Sequence, residues 1–200
     1  GYTCTHRVFR ADEVGVPQKR DRLIILGQRG DTVPVIREPI KTHVPNLLNI
    51  IKFSMVGALR VDPDTFNGIP AECILTDMSN LEEGNNPHPY IVRQRDQGLG
   101  FSFGKRISPY HAEIIDIRSP SKTIICTYDH QPRLLVPQKN ASGCFLRTMT
   151  PGELKQLQGF PFDFLQLDRL VKGSTGSLSL LCDCASAVLK SVFFFLQESA

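Results

Sequence analysis

The distribution of proline is the feature that most constrains how this 200-residue chain can fold. Eleven of the fourteen prolines lie between residues 31 and 145, where helical or strand periodicity is scarce. Proline has no backbone N–H and interrupts helices and central strands. Long irregular stretches usually carry function or belong to a small separate domain. The sequence therefore predicts a loop-rich module at 34–145 between more regular segments at 1–33 and 146–200.

Short strands are predicted in both the regular and the loop-rich parts of the chain. Residues 2–9 are β-branched and aromatic, and residues 23–27 form a continuous apolar run that is typical of a buried strand. Inside the module, residues 89–93, 122–128 and 134–136 have the composition of short strands.

Helices are predicted at 47–59, 150–159 and 185–196. The second has the clearest local signals, because Thr150 is a good N-cap and Glu153 stands three residues later, as in a capping box. The third is strongly apolar, which indicates a buried helix.

Charge is unevenly distributed along the chain, although 23 basic and 20 acidic residues nearly balance. Residues 1–52 carry nine basic and five acidic side chains, and residues 91–147 carry nine and four. Residues 53–90, between them, carry one and six. Two basic blocks favour a polyanionic partner. A solvated surface is the alternative that charge alone leaves open.

The six cysteines form no Cys-x-x-Cys pair, and the five histidines are dispersed. This spacing is poor for zinc, so we expect reduced thiols, no metal and an intracellular location. The apolar run at 192–196 is far shorter than the roughly 20 residues of a membrane span. We therefore expect no membrane association.

Three segments then occur in a fixed order. Gly-Val-Pro-Gln-Lys-Arg-Asp-Arg spans residues 15–22, Ser-Pro-Ser-Lys-Thr-Ile spans 119–124, and 147–161 reads Arg-Thr-Met-Thr-Pro-Gly-Glu-Leu-Lys-Gln-Leu-Gln-Gly-Phe-Pro. Together they resemble motif VIII, the threonine-containing core of the target-recognition domain and motif IX of the DNA cytosine-5 methyltransferases. The resemblance covers essentially the whole chain.

The resemblance implies an α/β fold: the C-terminal part of a Rossmann-like, S-adenosylmethionine-dependent methyltransferase domain, with an inserted small, irregular, β-rich target-recognition domain. The insert would occupy 34–145. Residues 1–33 would end the catalytic domain, and residues 146–200 would return to it through the motif IX helix and a C-terminal helix. The implied function is methyl transfer to C5 of a flipped cytosine in double-stranded DNA.

The resemblance also assigns catalytic roles to two arginines. Arg22 would contact the flipped cytosine and hold the charge that develops on its ring, and Arg20 would face the same side because the two are two positions apart. A guanidinium fork suits a carbonyl oxygen and a phosphate better than an ammonium does. A pair of surface arginines at a turn is the structural alternative.

Further site residues fall into two groups. Thr123 resembles the threonine that contacts the target-site backbone, although an ordinary strand threonine explains it equally well. The full set of predicted DNA contacts is Gln18, Thr123, Arg93, Arg95, Lys105, Arg106 and Arg133. The motif IX residues, which the resemblance makes structural rather than catalytic, are Arg147, Thr150, Glu153, Gln158 and Gly159.

The rest of the family's chemistry has no counterpart in these 200 residues. Only Gly176 and Ser177 match the cofactor-closing motif X, and its Asn is absent; Pro-Cys, Glu-Asn-Val and Phe-x-Gly-x-Gly do not occur. We therefore expect a fragment or small subunit, inactive alone, whose N-terminal half binds most of the S-adenosylmethionine, in cis or as a second subunit. A non-catalytic DNA-binding relative is the alternative. The compartment would be a bacterial or viral-host cytoplasm, or a nucleus.

Overall fold

A computed structural model of the chain describes residues 1–44, 46–78, 86–125, 127–128 and 130–162. The helix predicted at 185–196 lies outside the described residues. None of the helices in the described part is long and apolar enough to cross a membrane.

The chain begins with an antiparallel hairpin. Strand β1 (Tyr2–Arg10) pairs along its whole length with β3 (Asp21–Arg29), and the short β2 (Gln18–Lys19) lies in the connection between them. The prediction of a buried strand at 23–27 is corrected in one respect: the strand is present, but Leu23 is 58% exposed and Ile25 is 62% exposed. Both lie on a hairpin face that no other described element covers.

A six-stranded mixed sheet follows, and it gives the loop-rich module more regular structure than the prolines predict. Its strands are β4 (Leu59–Val61), β5 (Leu75–Thr76), β6 (Phe101–Phe103), β7 (Ala112–Ile114), β9 (Leu134–Asn140) and β10 (Gly143–Arg147). The order is β4-β10-β9-β7-β6, and β5 also pairs with β9. The remaining strand, β8 (Ser121–Lys122), pairs in parallel with β2.

The main core lies between this sheet and two short helices. Helix α1 (Leu47–Ile50) contacts α3 (Pro151–Leu157), and their buried leucines pack with the inner residues of β7, β9 and β10. Ile114, Leu135 and Leu146 are fully buried there. The second basic block (91–147) ends in β10. This strand and helix α3 therefore both pack within the module.

Three local predictions inside the module are corrected. Residues 89–93 begin helix α2 (Pro89–Asp96) rather than a strand, because proline suits the first helical turn and the His88 ring accepts a hydrogen bond from the Tyr90 N–H at 3.2 Å. Of the described residues in the stretch 122–128, only Lys122 belongs to a strand, β8. The helix predicted at 47–59 ends at Ile50.

The early end of α1 has a tertiary cause. The Lys52 N–H donates to Glu153 Oε1 at 3.0 Å, and the Ser54 N–H donates to Gln138 Oε1 at 3.3 Å. Backbone donors that a longer helix would have paired internally are thus satisfied by side chains about a hundred residues away. The helix predicted at 150–159 is confirmed as α3, with both hydrogen bonds of the capping box present.

Candidate nucleic-acid interface

The segment at 15–22 is held in a tight turn before β3. Gly15 has a φ of +87°, a left-handed conformation that side chains with a Cβ rarely adopt. A Cβ there would also lie 2.8 Å from Thr42 Oγ1. Gly15 therefore allows the chain to turn between β1 and β2, and it allows Thr42 to pack closely against this turn.

Strands β2 and β8 dock the segment at 119–124 directly onto this turn. Gln18 pairs with Ser121 and Lys19 with Lys122 in parallel register. The Ser121 N–H donates to the Pro17 carbonyl at 2.9 Å, and the Thr123 hydroxyl donates to the Lys19 carbonyl at 2.7 Å. Two motifs a hundred residues apart in the sequence therefore form one local structure.

The predicted polar residues of the turn differ in their surroundings. Gln18 is only 1% exposed, and its Nε2 has no hydrogen-bond partner among the described residues. The Nε of Arg20 is also buried without a described partner, whereas Arg22 Nη1 donates to the Asp21 carbonyl at 2.7 Å. Both arginines are partly exposed. Arg22 lies in β3, whereas Arg20 lies between β2 and β3, so their facing the same side stays a prediction. Their contact with a cytosine stays a prediction.

The end of α3 closes against the same turn. Gly159 has a φ of +88°, and a Cβ built on it would lie 3.2 Å from Val16 Cγ2. The left-handed helix end predicted at Gly159 is confirmed, and its glycine also allows this close approach. Gln158, beside it, is buried, and its Oε1 has no partner in the described part of the chain.

A cleft of about 460 Å³ opens beside the docked strands. Its polar and charged lining includes Lys105, Arg106, Glu113, Lys122, Thr123 and Arg133. The structure thus brings together four of the residues that the sequence proposed as DNA contacts. Among the described residues of the lining, Glu113 is the only carboxylate, and it lies 2.6 Å from the Lys122 ammonium. Lys105, Arg106 and Arg133 are then the described cations of the cleft that Glu113 does not pair with.

The other three predicted DNA contacts, Gln18, Arg93 and Arg95, do not line this cleft. Arg93 and Arg95 lie on the exposed side of α2. The Arg93 guanidinium stacks over the Tyr90 ring at 5.5 Å, and Arg95 pairs with Asp96 at 3.0 Å. Lys122 is the cleft cation that sequence reasoning missed, although it lies inside the segment that identified Thr123.

Two of the motif IX residues, Arg147 and Glu153, form the centre of a buried network. Arg147 is fully buried, and its two Nη atoms each lie 2.8 Å from a different oxygen of Glu153. Its Nε donates to Gln138 Oε1 at 3.1 Å, and its Nη groups also donate to the carbonyls of Thr148 and Lys52. Every guanidinium nitrogen is therefore hydrogen-bonded, as a buried charge requires.

Two further residues extend this network. Gln138 was not predicted, yet its amide bridges Arg147 to the backbone of Ser54 by donating to the Ser54 carbonyl at 2.6 Å. The Tyr128 hydroxyl donates to the Leu134 carbonyl and accepts from the Met149 N–H, both at 2.8 Å. Burial raises the pKa of Tyr128, so this phenol stays protonated as a structural tie.

The cleft itself does not fit S-adenosylmethionine. Its described lining has more cations than carboxylates, which would repel the positively charged sulfonium of that cofactor and attract phosphate instead. Gly176 and Ser177 lie outside the described residues. In the described part of the chain, no group of three or more His, Cys, Asp or Glu side chains is arranged to hold a metal ion.

Comparison with known proteins adds an independent finding. The family model for C-5 cytosine-specific DNA methylase matches residues 1–169. The chain is 26% identical over 170 residues to the type II methyltransferase M.SsoII of Shigella sonnei, covering 82% of the chain and 37% of that protein. It is 28% identical over 166 residues to M.BsuFI of Bacillus subtilis, covering 82% and 33%. The chain spans about a third of the length of these curated relatives.

Proposed function

Because the chain belongs to the C-5 cytosine-specific DNA methylase family, we propose that it forms the DNA-recognising part of an enzyme that methylates C5 of cytosine in duplex DNA. Its mixed α/β structure fits that family. The observation that carries the proposal is the cation-lined cleft beside the turn that bears Arg20 and Arg22. A surface that can bind phosphates thus lies beside the guanidinium groups of Arg20 and Arg22 in one local structure.

In this proposal the cleft binds the DNA backbone. Lys105 and Arg106 are exposed, and Arg133 is partly exposed. Each can neutralise one phosphate and release a counterion, which supplies affinity without reading sequence. Residues 34–145 would act as the target-recognition domain, with Arg93 and Arg95 as further backbone contacts along α2.

The turn would serve the target base. Extruding a cytosine from the duplex costs a few kcal/mol, which contacts in the pocket must repay. Arg22 would hydrogen-bond the extruded base through its guanidinium fork, and Arg20 would stand beside it. Gln18, which is buried, would support the turn or reach DNA only after a local rearrangement.

The chemistry of methyl transfer would be completed by other residues. We infer that a complementary part of the enzyme, in cis or as a second subunit, supplies the cysteine nucleophile, the supporting glutamate and most of the S-adenosylmethionine pocket. This inference rests on the absence of Pro-Cys, Glu-Asn-Val and Phe-x-Gly-x-Gly from the 200 residues and on the cationic character of the cleft. S-adenosylmethionine, when bound, supplies the methyl group.

A methyl-transfer assay tests the proposal. Residues 1–200 are incubated with duplex DNA and tritiated S-adenosylmethionine, with and without a complementary polypeptide that contains the Pro-Cys, Glu-Asn-Val and Phe-x-Gly-x-Gly motifs. We expect label at cytosine C5 only in the complemented sample. Arg22→Lys should abolish most of that activity, whereas Arg29→Lys, at the far end of the same strand, should not. Turnover by residues 1–200 alone would contradict the assignment of the nucleophile elsewhere.

A non-catalytic DNA-binding protein of the same fold is the second candidate. It is favoured by one observation, namely that the cleft cations and the arginine turn are all in this chain while the nucleophile motif is not. Sequence-specific binding to duplex DNA together with no methyl transfer after complementation would support it.

A further inference from the structure

We propose that Thr123 is a positioning residue whose hydroxyl ties the recognition segment to the arginine turn. The inference rests on the proposed function, because it concerns how Arg20 and Arg22 are held for the target base.

The first argument is the number of hydrogen atoms available. A threonine hydroxyl has one hydrogen, and phosphate oxygens only accept hydrogen bonds. Thr123 Oγ1 already donates that hydrogen to the Lys19 carbonyl at 2.7 Å. It therefore cannot donate to a DNA phosphate while the bond to Lys19 is intact.

The second argument is what this bond holds. The Lys19 carbonyl and the Arg20 N–H belong to the same planar peptide group. Fixing the direction of that carbonyl fixes the peptide plane from which Arg20 starts, and Arg22 follows two residues later in β3. The bond thus restricts the backbone just before the two guanidinium groups.

The third argument concerns water. Gln18 is 1% exposed and Ser121 is 4% exposed, so the inner part of the β2–β8 contact is dry. Thr123 forms the outer, exposed end of the same contact and also lines the cleft. DNA lying in the cleft would exclude water from the Thr123–Lys19 bond and strengthen it. DNA bound in the cleft would then reduce the backbone mobility of the turn that bears Arg20 and Arg22.

Amide hydrogen exchange of residues 18–22 tests this tie in the full chain. Thr123→Val removes the donor with little change of shape, and Thr123→Ser retains it. The net value of a hydrogen bond corresponds to about a 2- to 10-fold population change. We expect Thr123→Val to raise exchange in this turn by that factor and Thr123→Ser to leave it unchanged. The control is Thr32→Val, an exposed threonine outside the cleft lining.

The same measurement is repeated with a duplex oligonucleotide of mixed sequence. The DNA should slow exchange at 18–22 in the unmodified chain but much less in Thr123→Val. In the complemented enzyme, Thr123→Val should lower kcat for methyl transfer up to about 10-fold while KM for DNA stays the same. Rescue by Thr123→Ser would support the tie, since serine restores the donor.

Other results would overturn the inference. Weaker DNA binding by Thr123→Val with unchanged exchange at 18–22 would show that the hydroxyl contacts DNA. Unchanged exchange, affinity and kcat would show that it does neither. If the unmodified chain bound no DNA, the proposed function would fail, yet the exchange comparison without DNA would still decide whether Thr123 holds the turn.

Discussion

Removal of the charge from Glu153 is expected to destabilise the protein severely. In Glu153→Gln the side chain keeps its shape but loses the carboxylate that pairs with both Nη atoms of Arg147 at 2.8 Å. The glutamine amide would also point N–H donors at the N–H donors of the guanidinium. Because Arg147 is fully buried, no water can replace the lost partner.

The magnitude follows from this burial. Removing one partner of a buried ion pair costs about 3–5 kcal/mol, because the remaining charge is uncompensated. A typical domain has only about 5–15 kcal/mol of stability. With a urea m-value of about 2 kcal/mol/M, the unfolding midpoint should fall by about 2 M. The capping-box bond from the Thr150 N–H would weaken in the same variant.

Urea unfolding followed by circular dichroism measures this change. The matched control is Asp96→Asn, the same acid-to-amide substitution at the exposed ion pair with Arg95. Exposed pairs are worth at most about 1 kcal/mol, so its midpoint should hardly move. Equal midpoints for Glu153→Gln and Asp96→Asn would refute the argument that the Arg147–Glu153 pair is energetically buried.

Three further outcomes are expected. Arg106→Ala should weaken binding to all duplex sequences and reduce the slope of log K against log salt by about 0.9, measured by fluorescence anisotropy; an unchanged slope would exclude a phosphate contact. Hydrogen bonds from the Arg118 guanidinium lower the pKa of Asp116 to about 2. This pKa is below the unfolded value of about 3.9. The ionised carboxylate therefore stabilises the fold fully above about pH 3.9, and this stabilisation is lost as the pH falls through about 2. Arg118→Ala should raise the pKa of Asp116 in an NMR titration, and no rise would contradict the assigned cause. Burial, aided by Asp116, raises the pKa of the Cys73 thiol to about 11, so iodoacetamide should alkylate exposed Cys4 well before Cys73, as peptide mass spectrometry would show; equal rates would contradict it.

The elements that were predicted correctly depend on near neighbours in the chain. The β1–β3 hairpin is built from β-branched and apolar runs, and α3 begins at a capping box whose two partners are three residues apart. Such signals act over one or two turns of backbone, so the sequence contains them in full. Helix α2 was mistaken for a strand because its isoleucine and valine outweighed the cap and the proline that start the helix.

The candidate site was foreseen in part. The resemblance pointed to Arg20, Arg22 and Thr123, and basic composition pointed to Lys105 and Arg106. The sequence could not show that Thr123, Lys105 and Arg106 line one cleft beside the turn that bears the two arginines. This arrangement depends on a two-residue parallel pairing between segments separated by about a hundred residues. The structural roles of Gln138 and Tyr128 could not be predicted for the same reason, because they too depend on contacts between distant segments.

The sequence by itself determined the family, the hairpin, the capped helix and the residue types that can bind phosphate, since these depend on local propensity and on side-chain chemistry. Only the tertiary structure decided that the Thr123 hydroxyl donates to Lys19, that Gln18 is buried, and that Gln138 connects Arg147 to the backbone near Ser54. Each of these facts requires two distant parts of the chain to meet. Burial and hydrogen-bond partners are properties of that packing, and no single segment contains them.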